Sequence, residues 1–266
     1  VGAPASLAQQ PPLAAGAATL VRQYYQDTLK REFVSAALVR ATLINGADVI
    51  TSTEGTESDP EVPDVHQGWG RIDLGQALDP TSPAEIDFVD EIDGFTAAGE
   101  GHEYSLDVTD STVPIAVTLV YHDPPGQALL RDLDLIVEDP DGNLHYANGL
   151  DGTTRSDPSV DQSNVERVYI ETPPTTGEYT VRVECEDFQE TTWGHQPYAL
   201  VTRAGGPLND ERPPTDVVLA LDMSGSMLHA ACGTCDPTIA VLEDAVELFI
   251  ALWQAVTIPG DRISTV

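Results

Sequence analysis

Between residues 86 and 203 the apolar residues of this chain repeat every second position, and that spacing allows few folds. Ile115, Val117, Leu119 and Tyr121 alternate with Ala116, Thr118 and Val120; Leu133, Leu135 and Val137 alternate with Asp132, Asp134 and Ile136. Tyr179, Val181 and Val183 follow the same rule against polar partners. Turn-forming clusters separate the runs: Asp123-Pro-Pro-Gly126, Asp139-Pro-Asp-Gly142 and Pro173-Pro-Thr-Thr-Gly177. A period of two places one set of side chains on one face of a strand, and short strands between regular turns predict an antiparallel β-sandwich. Asp139-x-Asp141-x-Asn143 begins like a calcium-binding EF-hand loop. Leu144 stands where that loop needs glycine and Leu150 where it needs glutamate, so a hairpin turn is expected.

Before this region the period is 3.6. Leu13, Ala17, Leu20, Val21 and Tyr24 lie at helical spacing. Ser35 is placed to cap a second helix, continued by Leu38, Ala41 and Thr42 and ended at Asn45-Gly46 by an expected left-handed cap. Residues 51–65 are polar and acidic with two prolines, a surface loop by composition. Asp79-Pro80 to Pro83 marks a boundary, and residues 205–214, with Gly205-Gly206 and Pro213-Pro214, read as a linker. Beyond it Val217–Leu221 reads as a buried strand, Ile239–Val256 as a helix and Asp261–Val266 as another strand, the order of a parallel α/β unit. The expected domains are residues 1–80, 84–204 and 215–266, the last too short to cover both faces of its own sheet.

Charge excludes some partners. Acidic residues number 44 against 12 basic ones, a net charge of −32, and Lys30 is the one lysine. Such a chain repels nucleic-acid phosphates and anionic membranes, and suits cation binding or high ionic strength. No run of 18 apolar residues is present, so no membrane span is expected. Three cysteines are too few for a disulfide framework. Cys232-Gly-Thr-Cys235 suits a local disulfide or half of a metal site, and Cys185 a buried or free thiol. The six histidines form no HxxxH pair and are expected on the surface or in loops.

Asp132 and Asp134 at i and i+2 share a strand face, and two carboxylates so close repel unless a cation or arginine compensates. Asn164 and Glu166 have the same spacing, so these four residues are a candidate calcium site; a solvated acidic face is the competing reading. Asp222-Met-Ser-Gly-Ser226 follows the buried strand 217–221. There Asp222, Ser224 and Ser226 would offer a carboxylate and two hydroxyls to a hard divalent ion, Mg²⁺ or Ca²⁺.

Several of these segments resemble known families. Pro12, Gly16 and the small residues between them are similar to the helix behind the nucleophile of subtilisin-like serine proteases, where Gly-Thr-Ser-Met-Ala-x-Pro precedes x-x-x-Gly. Gly68-Trp-Gly-Arg-Ile72 resembles an element near the end of that catalytic domain. The motifs Thr118–Asp123, Arg131–Leu135, Asn164–Glu166, Gly177–Val181 and Gln196–Leu200 resemble the jelly-roll domain that follows it in secreted members. Asp222-x-Ser-x-Ser226 resembles the metal-ion-dependent adhesion site of von Willebrand factor A domains.

The resemblance implies a mixed architecture: a helical remnant of an α/β catalytic domain, a calcium-bound jelly roll, then a truncated von Willebrand factor A unit that binds protein or peptide ligands through its metal. It also implies an extracellular serine endopeptidase. Counting back from Pro12, however, the nucleophile position holds Ala8, and Ser6 is two residues too far from the helix for oxyanion geometry. No sequence context of a triad histidine is present, so the chain by itself is expected to be inactive. A reading that begins inside a protease gene, a frame shift or a decayed paralogue would each account for Ala8.

Overall fold

The computed structural model describes residues 10–50, 63, 67–79, 83–126, 129–149, 163–209, 216–219 and 262–265. Ala8, Ser6, Asp222, Ser224, Ser226 and the Cys232/Cys235 pair lie outside the described residues, as do the expected loop 51–65, apart from Pro63, and the expected helix 239–256. The chain divides into two units, residues 1–211 and 212–266.

The first unit holds the expected sandwich. Its strands are β1 (Glu85–Phe95), β2 (Gly101–Val108), β3 (Ile115–Tyr121), β4 (Arg131–Glu138), β5 (Leu144–Tyr146), β6 (Val165–Ile170), β7 (Gly177–Phe188), β8 (Gln196–Ala204) and β9 (Leu208–Asn209). They form a four-stranded sheet in the order β1-β8-β3-β6 and a five-stranded sheet in the order β5-β4-β7-β2-β9. Every pairing within these two sheets is antiparallel. The alternating residues found in the sequence fill the space between the sheets: Ile115, Val117, Leu119 and Tyr121 face Leu133, Leu135, Val137, Tyr179, Val181 and Val183 in one buried cluster.

Three helical pieces precede the strands: α1 (Gln10–Gln23), which runs into a π-helical turn at Tyr24–Thr28, α2 (Ala36–Asn45) and α3 (Leu74–Leu78). They are packed onto the sandwich, not set apart from it. A second cluster joins Val21, Tyr25, Leu38, Ala41 and Ile44 to Val120, Val165, Ala199 and Val201 on the outer face of the four-stranded sheet. Both faces of β3 are therefore covered, and all seven of its residues are buried.

The buried stripe of α1 differs from the one expected. Ala17, Val21 and Tyr25 are buried at i, i+4 and i+8, whereas Leu13 is 73% and Leu20 51% exposed. The tyrosine decides which face turns inward. Its ring meets Phe88 edge-on at 4.7 Å, and its hydroxyl shares a 2.9 Å hydrogen bond with Thr42.

Helix α2 begins as expected, with the Ser35 hydroxyl accepting from the Leu38 amide at 2.9 Å. It does not end in a left-handed cap: Gly46 has φ −86°. Glycine is required there for space, since a Cβ would lie 2.6 Å from the Ala77 Cα of α3. Gly70 combines both reasons, with φ +110° and a would-be Cβ 2.5 Å from the Asp48 carbonyl oxygen. That close approach lets Asp48 and Arg71 exchange two backbone hydrogen bonds of 2.8 Å.

Residues 205–209 correct the linker reading. The Gly205 carbonyl accepts from the Thr109 and Asp110 amides at 3.0 and 3.1 Å, and β9 pairs with β2. A Cβ on Gly205 would lie 2.2 Å from the Asp110 carbonyl oxygen, and one on Gly206 1.8 Å from that of Asp107. The glycines permit a close backbone crossing and do not supply flexibility.

In the second unit, β10 (Asp216–Leu219) and β11 (Arg262–Thr265) pair in parallel. Parallel neighbours need a crossover connection, in keeping with the strand order expected from sequence.

Replacing Gly206 by alanine forces backbone to move and is expected to destabilise the first unit by about 1–3 kcal/mol. Urea unfolding followed by far-UV circular dichroism measures it; an unchanged midpoint would return this segment to the status of a linker.

Candidate functional site

Of the four residues proposed as calcium ligands, Asp132 and Asp134 lie on β4 and Glu166 reaches β4 from the other sheet. Outer-edge amides of β4 are left open there because β5 pairs only with residues 136–138. Side chains from the opposite sheet close that edge. The Leu133 amide donates to the Tyr121 hydroxyl at 3.4 Å, and the Leu135 amide to a Glu166 carboxylate oxygen at 2.5 Å. Tyr121 in turn donates to the Ser163 carbonyl at 3.1 Å. Glu166 thus reaches across the sandwich as a backbone acceptor.

Asn164 does not join it. Residue 164 precedes β6, so the i, i+2 rule does not yet apply. Its side-chain oxygen accepts from the Arg40 guanidinium at 3.3 Å, on the helical side of the sheet. A register shift falls between Asp132 and Leu133, where β7 carries the extra residue Glu186; β4 itself keeps its alternation, with Leu133 and Leu135 in the core. Asp134 is buried and stands opposite Glu184. Among the described residues no three histidine, cysteine, aspartate or glutamate side chains are grouped to hold a metal. Of the four, Asn164 and Glu166 thus have protein partners in this structure, Arg40 and the Leu135 amide.

What gathers instead is a set of carboxylates around one phenol. Burial pushes the Tyr121 hydroxyl far above its ordinary range, and the charges of Asp132, Glu166 and Asp123 push it the same way. Tyr121 stays protonated and acts as a hydrogen-bond bridge. Asp123 clamps the entry to β4, accepting from the Leu130 and Arg131 amides at 3.0 and 2.9 Å.

Arg131 opens β4, and the sequence reading passed over it in favour of the aspartates beside it. It is fully buried. Its guanidinium donates to the Thr191 hydroxyl at 2.8 Å and to the His195 carbonyl, and lies 4.2 Å from the centre of the Phe188 ring. One side chain thereby fastens the β7–β8 loop to β4. An arginine immediately ahead of an alternating apolar run, in a chain this poor in basic residues, was the available signal.

Other expected residues fall as follows. Asp139 organises the hairpin between β4 and β5, its carboxylate accepting from the Asp141 and Asn143 amides and the Asn143 side chain. Burial alone would raise its pKa; the hydrogen bonds from Asn143, His145 and Asp141 together outweigh this and hold it below the ordinary range. Cys185 is a free, buried thiol, pushed up to about 12 by burial and by the charge of Glu100, hence unreactive. His102 departs from the loop expectation: it sits in β2, with Nδ1 2.7 Å from the Tyr198 hydroxyl, which also meets the Tyr104 hydroxyl.

Comparison with known proteins adds one sequence relationship. The chain is 31% identical over 222 residues, 73% of its own length, to a Dictyostelium discoideum protein named serine protease/ABC transporter B family protein tagA, and spans 12% of that protein. No family model matches. Among solved structures, a family two carbohydrate esterase from Cellvibrio japonicus aligns over 68% of this chain and 52% of its own at 12% identity and TM-score 0.26. The Clostridium perfringens CspB protease aligns over 48% of this chain and 26% of its own at 12% identity and TM-score 0.25. The chain is thus a β-rich protein related in sequence to a protein that carries a serine protease name. No helix among the described residues is long and apolar enough to cross a membrane.

Two substitutions test this site. Tyr121→Phe removes the bridge between Leu133 and Ser163 and is expected to cost about 1–2 kcal/mol in urea unfolding. Asp139 has a depressed folded-state pKa, so its stabilisation is present above the unfolded value near 4 and is lost as pH falls through the folded value. Asp139→Asn is expected to be less stable than the parent at pH 7, with the two curves converging as pH falls through the folded value.

Proposed function

We propose that this chain is the accessory region of an extracellular subtilisin-like serine endopeptidase: the closing helices of its catalytic domain, a jelly-roll sandwich that braces them, and a binding unit of von Willebrand factor A type. The observation that carries this reading is the packing of the protease-like helices on the sandwich through one shared buried cluster. A sheet covered in this way supports the catalytic domain from behind and leaves substrate contacts to residues elsewhere. The 31% identity to a protease-named protein supports the same reading.

In the complete enzyme the reaction would be acyl transfer from a peptide bond to serine and then to water. This chain supplies neither step. Ala8 lacks a nucleophilic oxygen, and Ser6 is out of position. The parallel pairing of β10 with β11 supports a second role, adhesion to protein or peptide ligands, with Asp222, Ser224 and Ser226 as the ligands of Mg²⁺ or Ca²⁺.

A casein or fluorogenic-peptide assay on the purified chain is expected to show no turnover. Turnover that disappears in Ser6→Ala would contradict the assignment of this chain as non-catalytic.

A further inference from the structure

The outer face of the four-stranded sheet carries two arginines where the protein supplies them with little negative charge. Arg167 of β6 stands opposite Thr118, and Arg203 of β8 opposite Ala116, while Tyr169 of β6 faces Ala116 from the other side. Val120, two positions beyond Thr118, packs in the helix-facing cluster, so Ala116 and Thr118 share that face and the residues paired with them do too. Tyr169 and Arg203 therefore flank the small Ala116 side chain, and Arg167 stands one pair further along, diagonally across β3 from Arg203.

Arg167 is 6% exposed. It donates one hydrogen bond, Nη2 to the Asn45 carbonyl at 3.4 Å, and lies 5.1 Å from the centre of the Tyr169 ring. The buried Nε atoms of Arg167 and Arg203 both find no hydrogen-bond partner among the described residues. Burial, and then the charge of Arg203, push Arg167 down to about 10. Burial lowers Arg203 as well, while Tyr169 and Asp73 partly restore it.

Two like charges, Arg167 buried and Arg203 half-buried, with unsatisfied buried Nε donors are costly, and a chain with 44 acidic residues had ample means to neutralise them. Two guanidinium groups whose charges repel across one strand, with Nε–H groups that no described residue accepts and an aromatic ring beside them, suit recognition of an oxyanion.

We propose that Arg167 and Arg203, on either side of β3 with Tyr169 as a wall, form a binding site for a small oxyanion on the helix-facing side of the sheet. The anion accepts from the Nε–H groups of both arginines and offsets their mutual repulsion. Tyr169, 49% exposed, and the partly exposed Arg203 form its open side. The shared chemistry is that of a carboxylate or a tetrahedral oxyanion, and the site is independent of any protease role.

The arginine Nε–Hε signals of the full ¹⁵N-labelled chain report on it directly. Sodium phosphate and sodium acetate are titrated separately against sodium chloride at constant ionic strength and pH 7. A saturable shift of the Arg167 and Arg203 signals is expected with at least one of the two. Phosphate alone identifies a free tetrahedral anion, and acetate alone identifies a carboxylate such as an acidic side chain supplies. Arg203→Gln, at the more exposed of the two positions, is expected to weaken binding at least tenfold with the fold intact, and Arg203→Lys to restore only part of it. Shifts no larger than chloride produces, or equal affinity in Arg203→Gln, would overturn the site.

Discussion

Everything in the first unit depends on one sheet having two dry faces. β3 runs through the middle of the protein, with Ile115, Val117, Leu119 and Tyr121 in the sandwich core and Val120 under the helices. A sheet buried on both sides must satisfy every polar group within the protein. Asn45, at the last turn of α2, shows how this is done. Its side-chain amide donates to the Ala116 and Val201 carbonyls at 2.9 and 3.0 Å and to the Thr118 hydroxyl at 3.2 Å. The other end of the same helix is held by the Ser35 amide, which donates to the Asp90 carboxylate of β1 at 3.0 Å. The apolar contacts favour docking without fixing its direction; the two polar anchors fix it.

Charge is organised by the same constraint. The excess of carboxylates leaves few cations, and the interior uses them as fasteners. Arg131 binds a loop to β4, and Arg182 bridges Glu103 and Glu138 across the five-stranded sheet. Glu166 and Asp123 act in the opposite sense, as acceptors for backbone amides that no neighbouring strand reaches. Several acidic residues that resemble ligands are therefore structural acceptors, an economy that an antiparallel sandwich with incomplete edges favours.

The sandwich was legible in the sequence because period-two alternation and turn residues are local signals, and Ile115–Tyr121 and Arg131–Glu138 carry them strongly. The hairpin at Asp139 and the cap at Ser35 were legible for the same reason. What local pattern does not contain is distance. Gly46, Gly205 and Gly206 look like a helix stop and a linker, but their role is set by backbone atoms of Ala77, Asp110 and Asp107 from other parts of the chain. Asp132, Asp134, Asn164 and Glu166 have the spacing of a site, but spacing does not tell that Asn164 meets Arg40 or that Glu166 reaches the Leu135 amide across the sandwich. Arg131 was marked by its place ahead of an apolar run, whereas nothing local marked Arg167, whose burial only the folded sheet shows.

The central claim is that the N-terminal helices and the sandwich are one cooperative structure joined through β3. Native-state hydrogen exchange of the full chain tests it most directly, by comparing the opening free energies of amides in Leu38–Asn45 of α2 with those in Val117–Val120 of β3. The account predicts that the most protected amides of both segments open together, with the same free energy and the same dependence on denaturant. Exchange of α2 through a separate, lower-energy opening that leaves β3 protected would contradict it.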